Sequence, residues 1–158
     1  MGNNAFEGCS RLSNVNMSNT SLTHIPMSAF SGCKALTNFA LPTQITHIEG
    51  YAFYNTGITT FTGLDTGNVE YIGEYAFTTL ETTTGYISYA NYRAIPFTTL
   101  NFNSNIKTIK EGAFAGCNDL TTITFASGIE TLGAGAFYAN AITKLELPDS
   151  ATNINGDV

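Results

Sequence analysis

Hydrophobic residues recur along this chain in a fixed pattern, and its most regular member is an Ala-Phe pair. The pairs end at Phe6, Phe30, Phe53, Phe77, Phe114 and Phe137. Successive phenylalanines are separated by 24, 23, 24, 37 and 23 residues. An aliphatic pair, such as Ile45 and Ile48, precedes each later phenylalanine by eight and five residues. Such a period is typical of solenoids, so the pattern predicts about six stacked units of roughly 23 residues.

A segment with the pattern apolar-x-x-apolar-x-apolar follows each phenylalanine except Phe77 after five or six residues. Apolar and polar residues alternate over the last three positions of this segment, which is typical of a half-buried strand. We therefore expect parallel strands at residues 12–17, 36–41, 58–62, 97–102, 120–125 and 142–147. The residues around each Ala-Phe pair are too few for more than a turn or two of helix. The predicted fold class is a strand-dominated α/β solenoid with a parallel sheet on its concave face.

The strand motif, a Leu-Pro ending, the aliphatic pair and a glycine before Ala-Phe-x-x-Cys together resemble BspA-type leucine-rich repeats. Residues 36–53 and 114–137 carry the fullest copies, and the resemblance covers essentially all 158 residues. The asparagine of ordinary leucine-rich repeats, three residues after the last strand leucine, is matched only by Asn105. The resemblance implies a cell-surface or secreted protein of host-associated bacteria or some protists. It also implies an adhesin that binds host or extracellular-matrix proteins.

Both ends of the chain fall inside a repeat unit, since residues 1–6 align with 72–77 and residues 147–154 align with 41–48. Solenoids need polar caps for solubility, and neither end has a recognisable one. We therefore expect residues 1–158 to be one solenoid domain from a longer array, or one that associates end to end. No charged and then apolar leader opens the chain, so we expect any export signal to lie outside it.

The long repeat spacing marks an insertion. Phe97 follows Phe77 by 20 residues, whereas the corresponding distance after Phe114 is 6 residues. Residues 78–96 are therefore predicted to form an inserted loop or hairpin, and insertions in solenoids often lie on the binding face. The residues of interest in it are Tyr86, Tyr89, Tyr92 and Arg93. These residue types are enriched at binding hot spots. Two hypotheses stay open: the rings contact a partner, or they cover an apolar gap on the solenoid.

The solvent-facing positions of the predicted strands form a second candidate surface, which we call the polar strip. Its residues are Asn14, Asn16, Asn38, Thr60, Thr62, Thr99, Asn101, Thr122, Thr124, Lys144 and Glu146. The strip is mostly uncharged and has no aromatic ring. It is compatible with a protein-binding adhesin module or with a structural spacer that presents another domain. A glycan-binding module is the third hypothesis, and it is disfavoured for this face because sugar rings usually stack on aromatic side chains.

Composition and charge argue against several classes of function. The net charge is −6 and no run of lysine or arginine occurs, which disfavours binding to nucleic acid or to an anionic membrane. No apolar stretch approaches the roughly 18 residues of a membrane span, so we expect no membrane insertion. No catalytic or cofactor motif is present. We therefore expect neither enzyme activity nor a cofactor.

The cysteines and histidines occupy fixed repeat positions. Cys9, Cys33 and Cys117 each lie three residues after a repeat phenylalanine, which indicates a packing role for a small apolar side chain. A disulfide between Cys9 and Cys33 is the lesser alternative. His24 and His47 should lie one above the other in adjacent units. No carboxylate or cysteine is placed to join them, so we expect no metal site.

Overall fold

The fold is a stack of short strands and turns. The computed structural model describes residues 1–80 and 92–156, and only the backbone of residues 80, 92 and 93. Within these ranges there are twelve strands and no helix. In chain order they are β1 (His24–Ile25), β2 (Asn38–Ala40), β3 (His47–Ile48), β4 (Thr60–Thr62), β5 (Tyr71–Ile72), β6 (Thr78–Leu80), β7 (Tyr92–Ala94), β8 (Thr99–Phe102), β9 (Thr108–Ile109), β10 (Thr122–Phe125), β11 (Thr131–Leu132) and β12 (Asn153–Ile154). The strand-dominated repeat solenoid is confirmed, and its described returns are turns instead of helix.

The largest sheet is parallel and contains six two-residue strands in the order β1, β3, β5, β9, β11 and β12. Equivalent positions of successive units pair, as in His47 with Tyr71 and Ile48 with Ile72. Ile48 and Ile72 are buried, whereas His47 and Tyr71 face outward and are half-buried. Branched aliphatic side chains pack well between neighbouring strands, so each pair supports the next. The sequence did not predict this sheet, because two residues are too few for an alternating pattern to be visible.

The predicted longer strands form where internal units pair. Strand β2 pairs with β4 and β8 pairs with β10, all in parallel. No strand forms at residues 12–17 or 142–147, so these two predictions are wrong. Backbone hydrogen bonds join both segments to the neighbouring unit just before the predicted strands, from Ala35 to Ser10 and from Ala141 to Leu120, but they do not continue as a ladder with β2 or β10. The layer is also divided, since β4 and β8 do not pair.

The turn before each Ala-Phe pair uses a left-handed backbone conformation. The residue before the pair has a φ between 51° and 58° in all six units. These residues are Asn4, Ser28, Tyr51, Tyr75, Gly112 and Gly135. This region costs an ordinary L-residue about 1–2 kcal/mol, whereas glycine adopts it freely. Two tyrosines therefore occupy a position that other units fill with glycine.

The repeat phenylalanines form one stacked column through the solenoid, as predicted. Neighbouring ring centroids in the column lie 5.0–5.6 Å apart, and the ring planes differ by at most 15°. The four internal rings are fully buried; they are Phe30, Phe53, Phe77 and Phe114. Phe137 is 6% exposed, while Phe6 stacks on Phe30 but is 39% exposed because the column ends there.

The predicted insertion leaves the solenoid through an antiparallel pair of strands. In this stem, Thr78 of β6 pairs with Ala94 of β7, and Leu80 pairs with Tyr92. The side chain of Thr78 is fully buried, and its hydroxyl donates a hydrogen bond of 2.7 Å to the carbonyl oxygen of Gly112. The first residues of the insertion are therefore held to the following unit.

Candidate binding surfaces

The structure places seven residues of the polar strip on the solvent side of β2, β4, β8 and β10, and the other four on the end segments that form no strand. Asn14, Asn16, Asn38, Thr60, Thr62, Thr99, Asn101, Thr122, Thr124, Lys144 and Glu146 are all exposed. Strand register aligns them in columns, with Thr99 beside Thr122 and Asn101 beside Thr124. Lys144 and Glu146 form an exposed ion pair at 2.5 Å. The strip is thus an exposed polar surface along the stack of units.

The threonine hydroxyls of the polar strip are available to a partner. In the described ranges, no side-chain hydrogen bond engages the hydroxyls of Thr60, Thr62, Thr99, Thr122 or Thr124. The neighbouring threonine column behaves differently, because its hydroxyls donate to carbonyl oxygens of the preceding unit. Examples are the bonds from Thr59 to Thr37 at 3.3 Å and from Thr121 to Thr98 at 3.2 Å. Exposed and unengaged hydroxyls cost little to desolvate if a partner replaces their water contacts.

A groove divides the polar strip where β4 and β8 fail to pair. It has a volume of about 200 Å³ and is lined by Phe61, Thr62, Gly63, Leu64, Asp65, Phe97, Thr99, Leu100 and Asn101. Phe61 and Phe97 are half-buried, and their ring centroids lie 6.3 Å apart. Partly exposed aromatic rings inside a polar surface are the usual anchors of a protein interface. The sequence did not predict this anchor, because both rings occupy strand positions that face the core in other units.

The predicted binding residues of the insertion are only partly located. Tyr86 and Tyr89 lie outside the described residues, and of Tyr92 and Arg93 only the backbone is described, in β7. The recognition hypothesis for these four side chains therefore stays a prediction. A second groove of about 460 Å³ lies at the base of the insertion, and Lys34, Thr59, Thr79, Ala94 and Asp119 are among its lining residues. The insertion is thus rooted beside a polar groove.

His24 and His47 lie one above the other, as predicted, in strands β1 and β3. Their ring centroids are 4.5 Å apart, and Tyr71 continues the ladder 5.6 Å from His47. The Nδ1 atoms lie 2.8 Å and 2.9 Å from the hydroxyls of Thr23 and Thr46, which orients both rings in the same way. Within the described part of the chain, no group of three or more His, Cys, Asp or Glu side chains is placed to hold a metal ion.

The three cysteines differ in exposure. Cys9 is exposed, whereas Cys33 and Cys117 are buried, and all three are free thiols. Burial raises the pKa of the Cys117 thiol far above its ordinary value. Burial, and then the nearby Cys9, also raise the pKa of Cys33. Because the thiolate is the reactive form, both buried thiols are held in the unreactive form at neutral pH.

We expect only Cys9 to react rapidly with Ellman's reagent in the native protein, at about pH 8. All three thiols should react after denaturation. The measurement is the number of protein thiols that react per chain, read from the 2-nitro-5-thiobenzoate that is released with and without denaturant. Rapid reaction of two or three thiols in the native protein would contradict the burial of Cys33 and Cys117. Recovery of only one thiol after denaturation would show that Cys9 and Cys33 had formed a disulfide.

A third surface was not predicted from the sequence. We call it the aromatic corner; its residues are His47, Tyr51, Tyr71, Tyr75, Glu74 and Glu111. Tyr51 and Tyr75 stack with centroids 5.5 Å apart, and the hydroxyl of Tyr75 donates a hydrogen bond of 2.7 Å to Oε1 of Glu111. The residues come from three consecutive units, so only the stacking of units brings them together. The repeated Tyr-Ala-Phe at residues 51–53 and 75–77 was the available signal.

Negative charges act on the tyrosines of the aromatic corner, of which Tyr51 stacks on Tyr75 and Tyr71 stacks on His47. Partial burial raises the pKa of Tyr51, and the negative charges of Glu74 and Glu111 raise it further. Burial likewise raises the pKa of Tyr71, followed by the charges of Glu49 and Glu74. A negative charge disfavours ionisation of a nearby phenol. Glu74 is therefore close enough to influence a tyrosine in each stacked pair.

The chain is similar to known proteins both in its repeat sequence and in its fold. The model of the BspA type leucine rich repeat region matches residues 1–84 and 85–158, with six copies. A leucine-rich repeat protein from Bacteroides ovatus has the same fold, with a TM-score of 0.64 and 20% identity over 96% of this chain. This chain spans 41% of that protein's chain. A leucine rich cell surface protein from Faecalibacterium prausnitzii has a TM-score of 0.37 and 19% identity, covering 97% of this chain and 52% of its own. No curated protein matches the sequence.

In the described ranges, no helix is long and apolar enough to cross a lipid bilayer. The described strands and turns instead enclose one apolar core that runs through all the units.

Proposed function

We propose that this chain, which belongs to the BspA-type leucine-rich-repeat family, is a non-catalytic binding module of a cell-surface or secreted protein. Its partner is a host or extracellular-matrix protein, and the module acts as an adhesin. Binding uses the polar strip together with the insertion. Neither a cofactor nor a metal takes part.

The observation that carries this proposal is the aromatic groove in the middle of the polar strip. Phe61 and Phe97 offer partly exposed apolar surface, and exposed hydroxyls and amides surround them. An apolar anchor with a polar rim is the common arrangement of a protein interface. The insertion that carries Tyr86, Tyr89, Tyr92 and Arg93 lies in the sequence between β4 and β8, the two strands that flank the groove. Groove and insertion together therefore provide the contact residues that the strip alone lacks.

The absence of catalysis is also part of the proposal. Two of the three candidate nucleophilic thiols, Cys33 and Cys117, are buried and protonated at neutral pH. The stacked histidines are oriented by threonine hydroxyls and not by a carboxylate that would activate them as a base. These groups support the fold and its surface.

We expect removal of residues 79–92 to abolish capture of the partner while the solenoid remains folded. The deletion restores the Phe77–Phe114 spacing from 37 to 23 residues, which matches the other units. It keeps Thr78, whose hydroxyl is bonded to the next unit, and Ile95, which is buried. The measurement is binding of the protein to a panel of purified, immobilised matrix proteins, together with the melting temperature.

Two variants complete this experiment. Tyr86→Ala with Tyr89→Ala tests the insertion without a change in chain length, and it should weaken capture by about tenfold or more. Thr131→Ala, on the six-stranded sheet, is the matched control and should bind like the natural protein. Equal capture by the deletion variant and the natural protein would refute a role of the insertion.

A structural spacer is the second candidate function, and one observation favours it. The phenylalanine column is continuous across all six units, including the interrupted one, where Phe77 and Phe114 stack at 5.0 Å. A continuous column makes the solenoid stiff enough to hold another domain away from a surface. Failure of every matrix protein to bind, with a rod-like shape in small-angle scattering, would favour the spacer over the adhesin.

A further inference from the structure

The tyrosines of the aromatic corner occupy slots that hold other residues in the units after it. The slot of Tyr51 and Tyr75 holds Gly112 and Gly135, and the slot of Tyr71 holds Thr108 and Thr131. The later units therefore stack without aromatic residues at these positions. Packing of the repeat therefore does not require the rings of Tyr51, Tyr71 and Tyr75, and their position on one surface points to a role other than packing.

The rings of the aromatic corner are held in fixed positions. Tyr51 and Tyr75 have left-handed φ values of 58° and 51°, which restrict where their side chains can point. They stack on each other, and the ring of Tyr75 lies over Gly112, where an added Cβ would come within 2.4 Å of its Cε1 atom. The hydrogen bond to Glu111 fixes the hydroxyl end. Side chains that are already ordered lose little conformational entropy when a partner binds.

The electrostatic character of this surface is negative. No lysine or arginine occurs in the sequence between Lys34 and Arg93, a stretch that contains Glu49, Glu70 and Glu74. Glu74 and Glu111 are exposed and lie in adjacent units, since the amide of Tyr75 donates to the carbonyl oxygen of Glu111. Both side chains carry a negative charge on this surface, and a cationic partner is attracted to that charge. Lys110 precedes Glu111 and is the nearest basic residue along the chain.

We propose that the aromatic corner is a binding surface for a lysine- or arginine-rich protein segment. The carboxylates of Glu74 and Glu111 pair with its cationic side chains, while the edges and hydroxyls of Tyr51, Tyr71 and Tyr75 contact its aliphatic stems and backbone. Long basic side chains suit this arrangement because their stems are apolar and their ends are charged. The net charge of −6 also attracts such a segment over a distance set by ionic strength.

This surface is separate from the one assigned to the adhesin. The aromatic corner lies on the six-stranded sheet and the turn that follows it, whereas the polar strip lies on β2, β4, β8, β10 and the corresponding segments of the end units. The inference therefore does not depend on the proposed function. The two can fail independently, because the variant that lacks residues 79–92 keeps every residue of the aromatic corner.

The experiment uses fluorescein-labelled decalysine and deca-arginine as probes and measures their anisotropy with the natural protein and with Tyr51→Gly/Tyr75→Gly. Glycine suits the left-handed slot, as in Gly112 and Gly135, so this variant should fold. We expect saturable binding by the natural protein, which weakens with added salt, and about tenfold weaker binding by the variant. The deletion of residues 79–92 should bind both probes as the natural protein does.

Two matched controls make the result decisive. Ser28→Gly changes the same slot one unit earlier and should leave binding unchanged. Glu74→Gln and Glu130→Gln remove the same charge from exposed positions, and only Glu74→Gln should weaken binding of the probes. This pair of variants tests the proposal even if the double tyrosine variant does not fold. The proposal is overturned if neither probe binds, if the tyrosine variant binds as well as the natural protein, or if the two glutamate variants lose affinity equally.

Discussion

Replacement of Phe53 by alanine should destabilise the protein by about 3–5 kcal/mol, the largest effect that we expect from a single change. Phe53 is fully buried and stacks between Phe30 at 5.6 Å and Phe77 at 5.5 Å. Phe39 and Phe61 meet it edge-on at 4.7 Å and 5.2 Å. Its removal leaves a cavity among four rings that belong to neighbouring units, and their backbones are hydrogen-bonded to one another and cannot close the gap.

The free energy of unfolding from urea titration measures this effect, provided that the slope of the transition is unchanged. Phe6→Ala is the matched control, since Phe6 occupies the same repeat slot but is 39% exposed and stacks on one neighbour only. It should cost about 1 kcal/mol. Equal destabilisation by the two changes would show that the column does not act as the internal core of the stack.

Replacement of Gly73 by alanine should cost about 3 kcal/mol, because the added methyl group has no space between two units. A Cβ atom at this position would lie 2.3 Å from the amide nitrogen of Gly50 and 2.6 Å from the carbonyl carbon of Glu49. These are backbone atoms of the preceding unit and cannot rotate away. The amide of Gly73 also donates to the carbonyl oxygen of Ile48 at 2.7 Å, so separating the units breaks a hydrogen bond as well.

Gly50→Ala is the control for this prediction. A Cβ atom at Gly50 would first meet Cγ of Glu74 at 3.0 Å, which is part of a flexible, exposed side chain. Glu74 can move with little loss, so the free energy of unfolding should change by less than about 1 kcal/mol. If Gly73→Ala were as well tolerated as Gly50→Ala in the same urea titration, the close approach of β3 and β5 would be wrong.

Both predictions follow from the same property of the stack. Each unit contacts only the units before and after it, so a change in an internal slot disturbs two interfaces at once. A change on an outer surface disturbs neither, which is why the proposed binding surfaces can differ from unit to unit. The aromatic groove, the insertion and the aromatic corner are three such local departures, and all involve units between Ile25 and Phe114.

The sequence alone determined the repeat, its period and the identity of the buried column. Identical slots of successive units meet in a solenoid, so the recurring Ala-Phe pair also shows which phenylalanines stack on one another. For the same reason the stacking of His24 on His47, and the position of the interruption between Phe77 and Phe97, could be predicted. The solvent-facing side of the longer strands followed from their alternating pattern.

The tertiary structure decided which segments pair and which side chains from different slots meet. The six-stranded sheet uses two-residue strands whose pattern is too short to recognise. Residues 12–17 and 142–147 have the same apolar pattern as β2 and β10 but form no strand, because their backbones do not pair with those strands. The stacking of Tyr51 on Tyr75 and the hydrogen bond from Tyr75 to Glu111 depend on the turn after each two-residue strand, which has a left-handed residue in every unit. A repeat period specifies contacts within a column of slots. Contacts between columns depend on backbone angles, which the period does not specify.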